Sequence, residues 1–223
     1  MVQIPLLLVF LLAWFIPGPA AHAPAIDAHT GAFELGNTAE GATVAAELYA
    51  EIGLNGQLAE VVFEAGHASV LAHDARSRYL AIADMTQPST AKRLYVIDLD
   101  RKQLVLRTYV AHGSGSGELY ASSFSNREGS HQTSLGLYRV GAEIVSPKHG
   151  AALLLHGLDK GLNCQALSRE VIMHGADYVS AEFIARHGRL GRSWGCPALP
   201  RADMARAIEL LADGGLLYIH GKR

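Results

Sequence analysis

Apolar residues along this chain change their spacing twice. Residues 4–16 form an almost unbroken apolar run, and from Thr38 the spacing becomes helical, with Val44, Leu48 and Ile52 on one face before Gly53 and Asn55-Gly56 stop the pattern. A second helix is predicted over 57–73, with Leu58, Val61, Val62, Ala65 and Ala72 inward. After Arg78 the period falls to two. Residues 79–83, 93–99 and 103–111 alternate apolar with polar or small side chains, and Asp100-Arg101-Lys102 reads as the hairpin turn between the last two. Apolar runs at 135–140, 151–156, 171–174 and 216–220, punctuated by Gly and Pro, extend the strand series. One amphipathic helix interrupts it over 201–212, with Met204, Ile208 and Leu211 inward and Gly214 as its cap. The pattern predicts a mainly β body with two short helices in front and one near the end.

The first apolar run is too short for a bilayer span, which needs about 20 residues. It is followed by Pro17-Gly18-Pro19 and then by Ala21-His22-Ala23, a small-x-small cleavage step, so it reads as a secretory signal peptide. The start carries no Lys or Arg, which leaves an uncleaved membrane anchor as the alternative, and no cysteine follows the run as a lipid attachment point. The expected division is a signal peptide at 1–23, a linker rich in Ala, Gly, Pro and Asn at 24–37, an N-terminal helical segment at 38–77 and the β-rich domain at 78–223. The mature protein is expected to begin near Pro24 and to have no stable membrane insertion.

Of the 223 residues, 49% are hydrophobic and 18% charged, enough apolar surface for a sizeable core and too much for intrinsic disorder. The net charge of −2 disfavours a nucleic-acid partner. Charge is unevenly spread: residues 24–75 hold eight acids and no Lys or Arg, so the chain from Arg76 onward sets 19 basic residues against 13 acidic ones, a charge of +6. The C-terminal two-thirds is therefore the part of the chain with room for an acidic partner. Two cysteines exclude a disulfide scaffold and an all-cysteine zinc site.

The densest chemical signal is Gly191-Arg192-Ser193-Trp194-Gly195-Cys196-Pro197, a turn that can hold a thiol up and open. Residues 183–206 contain five arginines and one aspartate, and nearby cations favour thiolate over thiol. The alternative is a buried structural cysteine. A histidine base is the natural partner of such a thiol. His174 closes the apolar run 171–174 and precedes Gly175, while His187, nine residues before the cysteine, is its competitor in a Gly- and Arg-rich loop. Six of the eleven histidines precede glycine, so one His-Gly pair says little. No His-Glu-x-x-His pattern or other ligand spacing suggests a metal, and none is expected. The polar, glycine-rich stretch at 112–132 reads either as a flexible loop over a cleft or as a plain surface connection.

Taken together, His174-Gly175 and Ser193-Trp194-Gly195-Cys196 resemble the L,D-transpeptidase (YkuD) catalytic domain, whose mark is His-Gly followed by Ser/Thr-x-Gly-Cys. The likeness extends through Pro88-Ser89-Thr90, Ala111-His112-Gly113, Phe124-Ser125-Asn126, Gly129-Ser130-His131-Gln132, Ser134-Leu135-Gly136-Leu137-Tyr138 and Gly188-Arg189-Leu190-Gly191-Arg192, and covers roughly residues 78–221. It is nearest to the murein L,D-transpeptidase catalytic domain-like branch.

The resemblance implies a β-sandwich-like catalytic domain, periplasmic or secreted, that works on peptidoglycan stem peptides without a cofactor and is inhibited by carbapenem-type β-lactams. It implies Cys196 as nucleophile, His174 as base and then acid, the Gly175 carbonyl as orienter of the imidazole, and the backbone N–H groups of Gly195 and Cys196 as oxyanion donors, within a turn that includes Ser193. Trp194 stands where the family usually has histidine, and Pro197-Ala198-Leu199 replaces a segment that usually carries arginine. A substrate carboxylate is then expected to meet Arg192 or Arg189, with Trp194 and Tyr138 as further contacts; an alternating strand also allows Tyr138 in the core. Cys164 stands where relatives have aspartate and is expected to be a small buried residue, although a bridge to Cys196 is conceivable in an oxidising space. The competing functions are an L,D-carboxypeptidase, a zinc peptidase of the wall and a non-catalytic wall-binding domain.

Overall fold

The structure is a computed structural model that describes residues 39–222. The apolar run at 4–16, the Ala21-His22-Ala23 step and the linker at 24–37 lie outside the described residues. Two helices come first, α1 (Ala39–Ile52) and α2 (Glu60–Ala72). Both form where the helical spacing predicts them, but their buried faces are turned. In α1, Ala45 and Tyr49 are buried and Val44 is half exposed; in α2, Val62, Phe63, Gly66 and Val70 are buried and Val61 faces solvent. The Tyr49 and Phe63 rings pack 5.8 Å apart, and covering these two aromatics removes more apolar area from water than covering two valines.

The strands are β1 (Tyr79–Asp84), β2 (Leu94–Asp98), β3 (Gln103–Thr108), β4 (Gly136–Ser146), β5 (Gly150–Gly157), β6 (Ile172–Gly175), β7 (Ala198–Leu199) and β8 (Leu216–His220), with α3 (Ala181–His187) and α4 (Arg201–Leu211) between the later ones. They form one eight-stranded sheet in the order β3-β2-β1-β8-β4-β5-β6-β7. The pairs β1/β8 and β6/β7 are parallel and the others antiparallel. Beyond β3 the chain crosses to the far edge, where the Ala111 N–H donates to the Ala198 carbonyl at 2.8 Å. That bridge brings the two edges together, and the sheet is nearly closed.

The central strands are buried on both faces. Leu80, Ile82, Tyr95, Ile97 and Leu216 point into a core beneath α1 and α2, whereas Ala81, Ala83, Leu94, Val96, Leu217 and Ile219 point into a second core shared with Met204, Ala207, Leu210 and Leu211 of α4. Period-two alternation here sorts residues between two cores rather than between core and water.

Three elements differ from the sequence expectation. The stretch before His187 is a helix, α3, whose N-cap Ser180 accepts the Phe183 N–H and whose end turns through left-handed Gly188; seven residues are too few to register as periodicity. Strand β4 runs past Val140 to Ser146 after a register shift. The α4 helix stops at Leu211, and left-handed Asp213 shares with Gly214 the turn expected of Gly214 alone. No helix among the described residues is long and apolar enough to cross a membrane.

Candidate active site

Ser193-Trp194-Gly195-Cys196 is a tight turn leading into β7. The Ser193 hydroxyl donates to the Cys196 carbonyl at 2.6 Å and accepts the Gly195 N–H at 3.1 Å. From outside, Thr133 Oγ1 donates to the Gly195 carbonyl at 3.2 Å and accepts the Gly113 N–H at 2.9 Å. Gly195 has φ +123°, and a Cβ there would lie 2.9 Å from the Gln132 carbonyl oxygen; a Cβ on Gly113 would lie 2.8 Å from the Gly195 Cα. Backbone thus packs on backbone, and glycine is required at both positions. From the polar, glycine-rich stretch and the residue just after it, Gly113, Gln132 and Thr133 thus brace the cysteine turn.

Cys196 is half-buried, and its sulfur accepts the Ile172 N–H of β6 at 3.5 Å. His174 lies two residues further along that strand, in register with Ala198, and its own N–H reaches the Pro197 carbonyl at 3.4 Å. Its ring is buried, with Nδ1 3.1 Å from the Gly175 carbonyl oxygen. A carbonyl can only accept, so Nδ1 carries the hydrogen and Nε2 is the basic nitrogen. On the ring face, His149 of the β4–β5 turn stacks at 3.7 Å between centroids. Cys196, His174 and His149 line one cleft of about 710 Å³, together with Ser193, Trp194, Arg192, Arg169, Glu170, Tyr178 and Lys148.

Burial dominates the electrostatics. It pushes the Cys196 thiol up, opposed by the Ile172 N–H and the Arg169 charge, with Glu170 adding to the rise. It also pushes the His174 imidazole down to about 4, opposed by the Gly175 carbonyl and reinforced by His149, Lys148 and Arg201. The resting pair is therefore neutral thiol and neutral imidazole, in contrast to the thiolate expected from the local arginines. Four of those five arginines are matched elsewhere: Arg189 and Arg192 meet Glu118 at 2.8 and 2.6 Å, Arg201 meets Asp177 at 2.5 Å and Arg206 meets Glu209 at 2.7 Å.

Other expectations are corrected. Tyr138 is fully buried in the core, its hydroxyl donating to the Ser134 carbonyl at 2.8 Å, and does not line the cleft. Arg192 lines the cleft but Arg189 does not. The Gly195 N–H is engaged by Ser193, which leaves that of Cys196 as the open donor of the expected pair. Cys164 is exposed rather than buried, in the turn after Gly161, and both cysteines are free thiols. His187 is exposed on α3, with its ring 4.2 Å from Phe183. Trp194 is 71% exposed at the cleft mouth, stacked on His131 at 4.9 Å.

Sequence reasoning missed Arg169, His149 and Lys148. Arg169 donates to the carbonyls of Ser125 (2.9 Å) and Gln132 (2.8 Å) and to the hydroxyls of Ser134 (2.6 Å) and Ser130 (3.4 Å). It lies in an irregular stretch with no motif around it. His149-Gly150 is one of the six His-Gly pairs, and only the β5–β6 pairing, which sets Ala152 opposite His174, brings it to His174.

Residues 55–220 match the family model described as the L,D-transpeptidase catalytic domain. The chain belongs to that family. Similar solved structures include an L,D-transpeptidase from Mycobacterium smegmatis (13% identity over 65% of this chain and 59% of that one, TM-score 0.40) and one from Stackebrandtia nassauensis (14%, 84% and 80%, 0.40). A third is LdtMt1, an L,D-transpeptidase solved in complex with imipenem (11%, 64% and 59%, 0.39). This L,D-transpeptidase-family chain thus spans 59% of the Mycobacterium smegmatis chain's length. No curated protein matches it.

Proposed function

We propose that this protein is an exported L,D-transpeptidase of peptidoglycan, with residues 1–23 removed on export to the periplasm or beyond and residues 78–223 carrying the reaction. Cys196 attacks the carbonyl of the diamino acid at position three of a tetrapeptide stem. The thiol proton moves to His174 Nε2 as the sulfur–carbon bond forms, and His174 returns it to the leaving amine as the bond to terminal D-alanine breaks. An amine of a neighbouring stem then attacks the thioester; its proton passes through His174 to the departing sulfur. A thioester keeps the acyl group reactive where no ATP is available.

The observation that carries this reading is the shared cleft: a half-buried thiol and an imidazole whose Nδ1 faces the Gly175 carbonyl border the same open space. A neutral pair suits general-base attack, because proton transfer is then coupled to bond formation. The Cys196 N–H supports the developing oxyanion, and Ser193 and Gly195 hold the turn that aims it.

Incubation with a tetrapeptide stem and an amine acceptor tests the proposal. Release of D-alanine and formation of cross-linked dimers are expected, with Cys196→Ala reducing both by on the order of a thousandfold or more and Cys164→Ser leaving both intact. Trimmed monomers without dimers would identify a carboxypeptidase instead.

A further inference from the structure

The cations around the cleft are not equivalent. Arg192 is paired with Glu118 at 2.6 Å, Arg169 is committed to the 125–134 segment, and Arg201 is held by Asp177 at 2.5 Å. Lys148 lines the cleft and has no carboxylate within ion-pair distance among the described residues; Glu170, the cleft's own acid, pairs with none of these cations. The ammonium of Lys148 lies instead 5.0 Å over the Trp194 ring, in the turn that ends at Cys196. An indole face holds a cation in place without neutralising it, so an anion can still be received.

We propose that Lys148 is the carboxylate-binding residue of this cleft, receiving the C-terminal carboxylate of the acyl-donor peptide over Trp194 and selecting donors that end in a free acid. The identity of the donor rests on the transpeptidase reading. In a terminal amino acid the amine nitrogen and the carboxylate are separated by one carbon, so a cation that binds the carboxylate must stand beside the group that protonates the nitrogen. Lys148 lines the same cleft as His174, its ammonium over Trp194 and its chain neighbour His149 stacked on the His174 ring at 3.7 Å. An ammonium, as a point charge with three rotatable donors, also tolerates the change in carboxylate position as the leaving residue departs.

The test uses the full chain carrying Cys196→Ala, so that binding is read without turnover. Calorimetric titration with a stem tetrapeptide ending in D-alanine, as the free acid and as the C-terminal amide, is expected to show the acid bound roughly tenfold more tightly, a preference that shrinks with added salt. Adding Lys148→Met should abolish the preference by weakening the acid alone, and Lys148→Arg should retain it. Unchanged amide affinity reports that the exposed turn still folds. Equal binding of acid and amide by the parent, binding of neither, or a preference that survives Lys148→Met would overturn the proposal. Intact mass measurement of wild-type protein with the same peptide separates the two ideas. Discrimination by the parent without a thioester in the wild type defeats the transpeptidase reading alone, and a thioester without discrimination defeats Lys148 alone.

Discussion

His174 must accept a proton, so its protonated form is inactive and activity is lost as pH falls through its pKa. Burial first, then His149, Lys148 and Arg201, push that pKa from 6.5 down to about 4, so the acid limb lies well below the ordinary histidine range. With Cys196 as nucleophile, kcat/KM for D-alanine release is expected to stay level as pH drops through 6.5 and to decline only toward 4. A limb centred near 6.5 would show that burial leaves the imidazole at its ordinary pKa. His149→Ala removes both a cover and a nearby charge, and should move the limb upward while leaving the fold intact. The residue types at this site were legible in the chain: a cysteine in a glycine turn, a histidine at a strand end and a carbonyl after it. The protonation state was not, because it depends on the ring stacked above His174 and on which arginines are already paired.

The segment at 125–134 is shaped by one side chain from outside it. Arg169 offers its guanidinium fork to the carbonyls of Ser125 and Gln132 and to Ser134 Oγ, and the same segment contributes Thr133 to the cysteine turn. Arg169→Leu leaves those acceptors without a partner and is expected to lower stability by about 2–3 kcal/mol, read by denaturant unfolding, with faster amide exchange across 125–134. Unchanged exchange there would mean that the segment holds itself. Elements with strong periodicity, α1, α2, β1, β2 and α4, were all legible in the sequence. Their buried faces were less so, since Tyr49 and Phe63 compete with valines on neighbouring faces and only tertiary packing decides between them. Short elements such as α3 and β7 carry too few residues for any period to show.

Across the whole molecule, the strands were visible as a series, but their closure was not. The bridge from Ala111 to Ala198 spans residues with no local signal for each other, yet it sets the segment at 112–134 against the cysteine turn, whose Ser193, Trp194 and Cys196 line the cleft. Charge behaved in the same way. A count over 183–206 gives a basic stretch, whereas Glu118, from a distant segment, takes up both Arg189 and Arg192. Nucleophilic attack by Cys196 is tested most directly by intact-mass spectrometry of the full chain after exposure to a carbapenem. A single adduct of the drug's mass that maps to the Cys196 peptide, and is absent from Cys196→Ala, is the expected result. An unmodified protein, or an adduct that maps to Cys164, would contradict it.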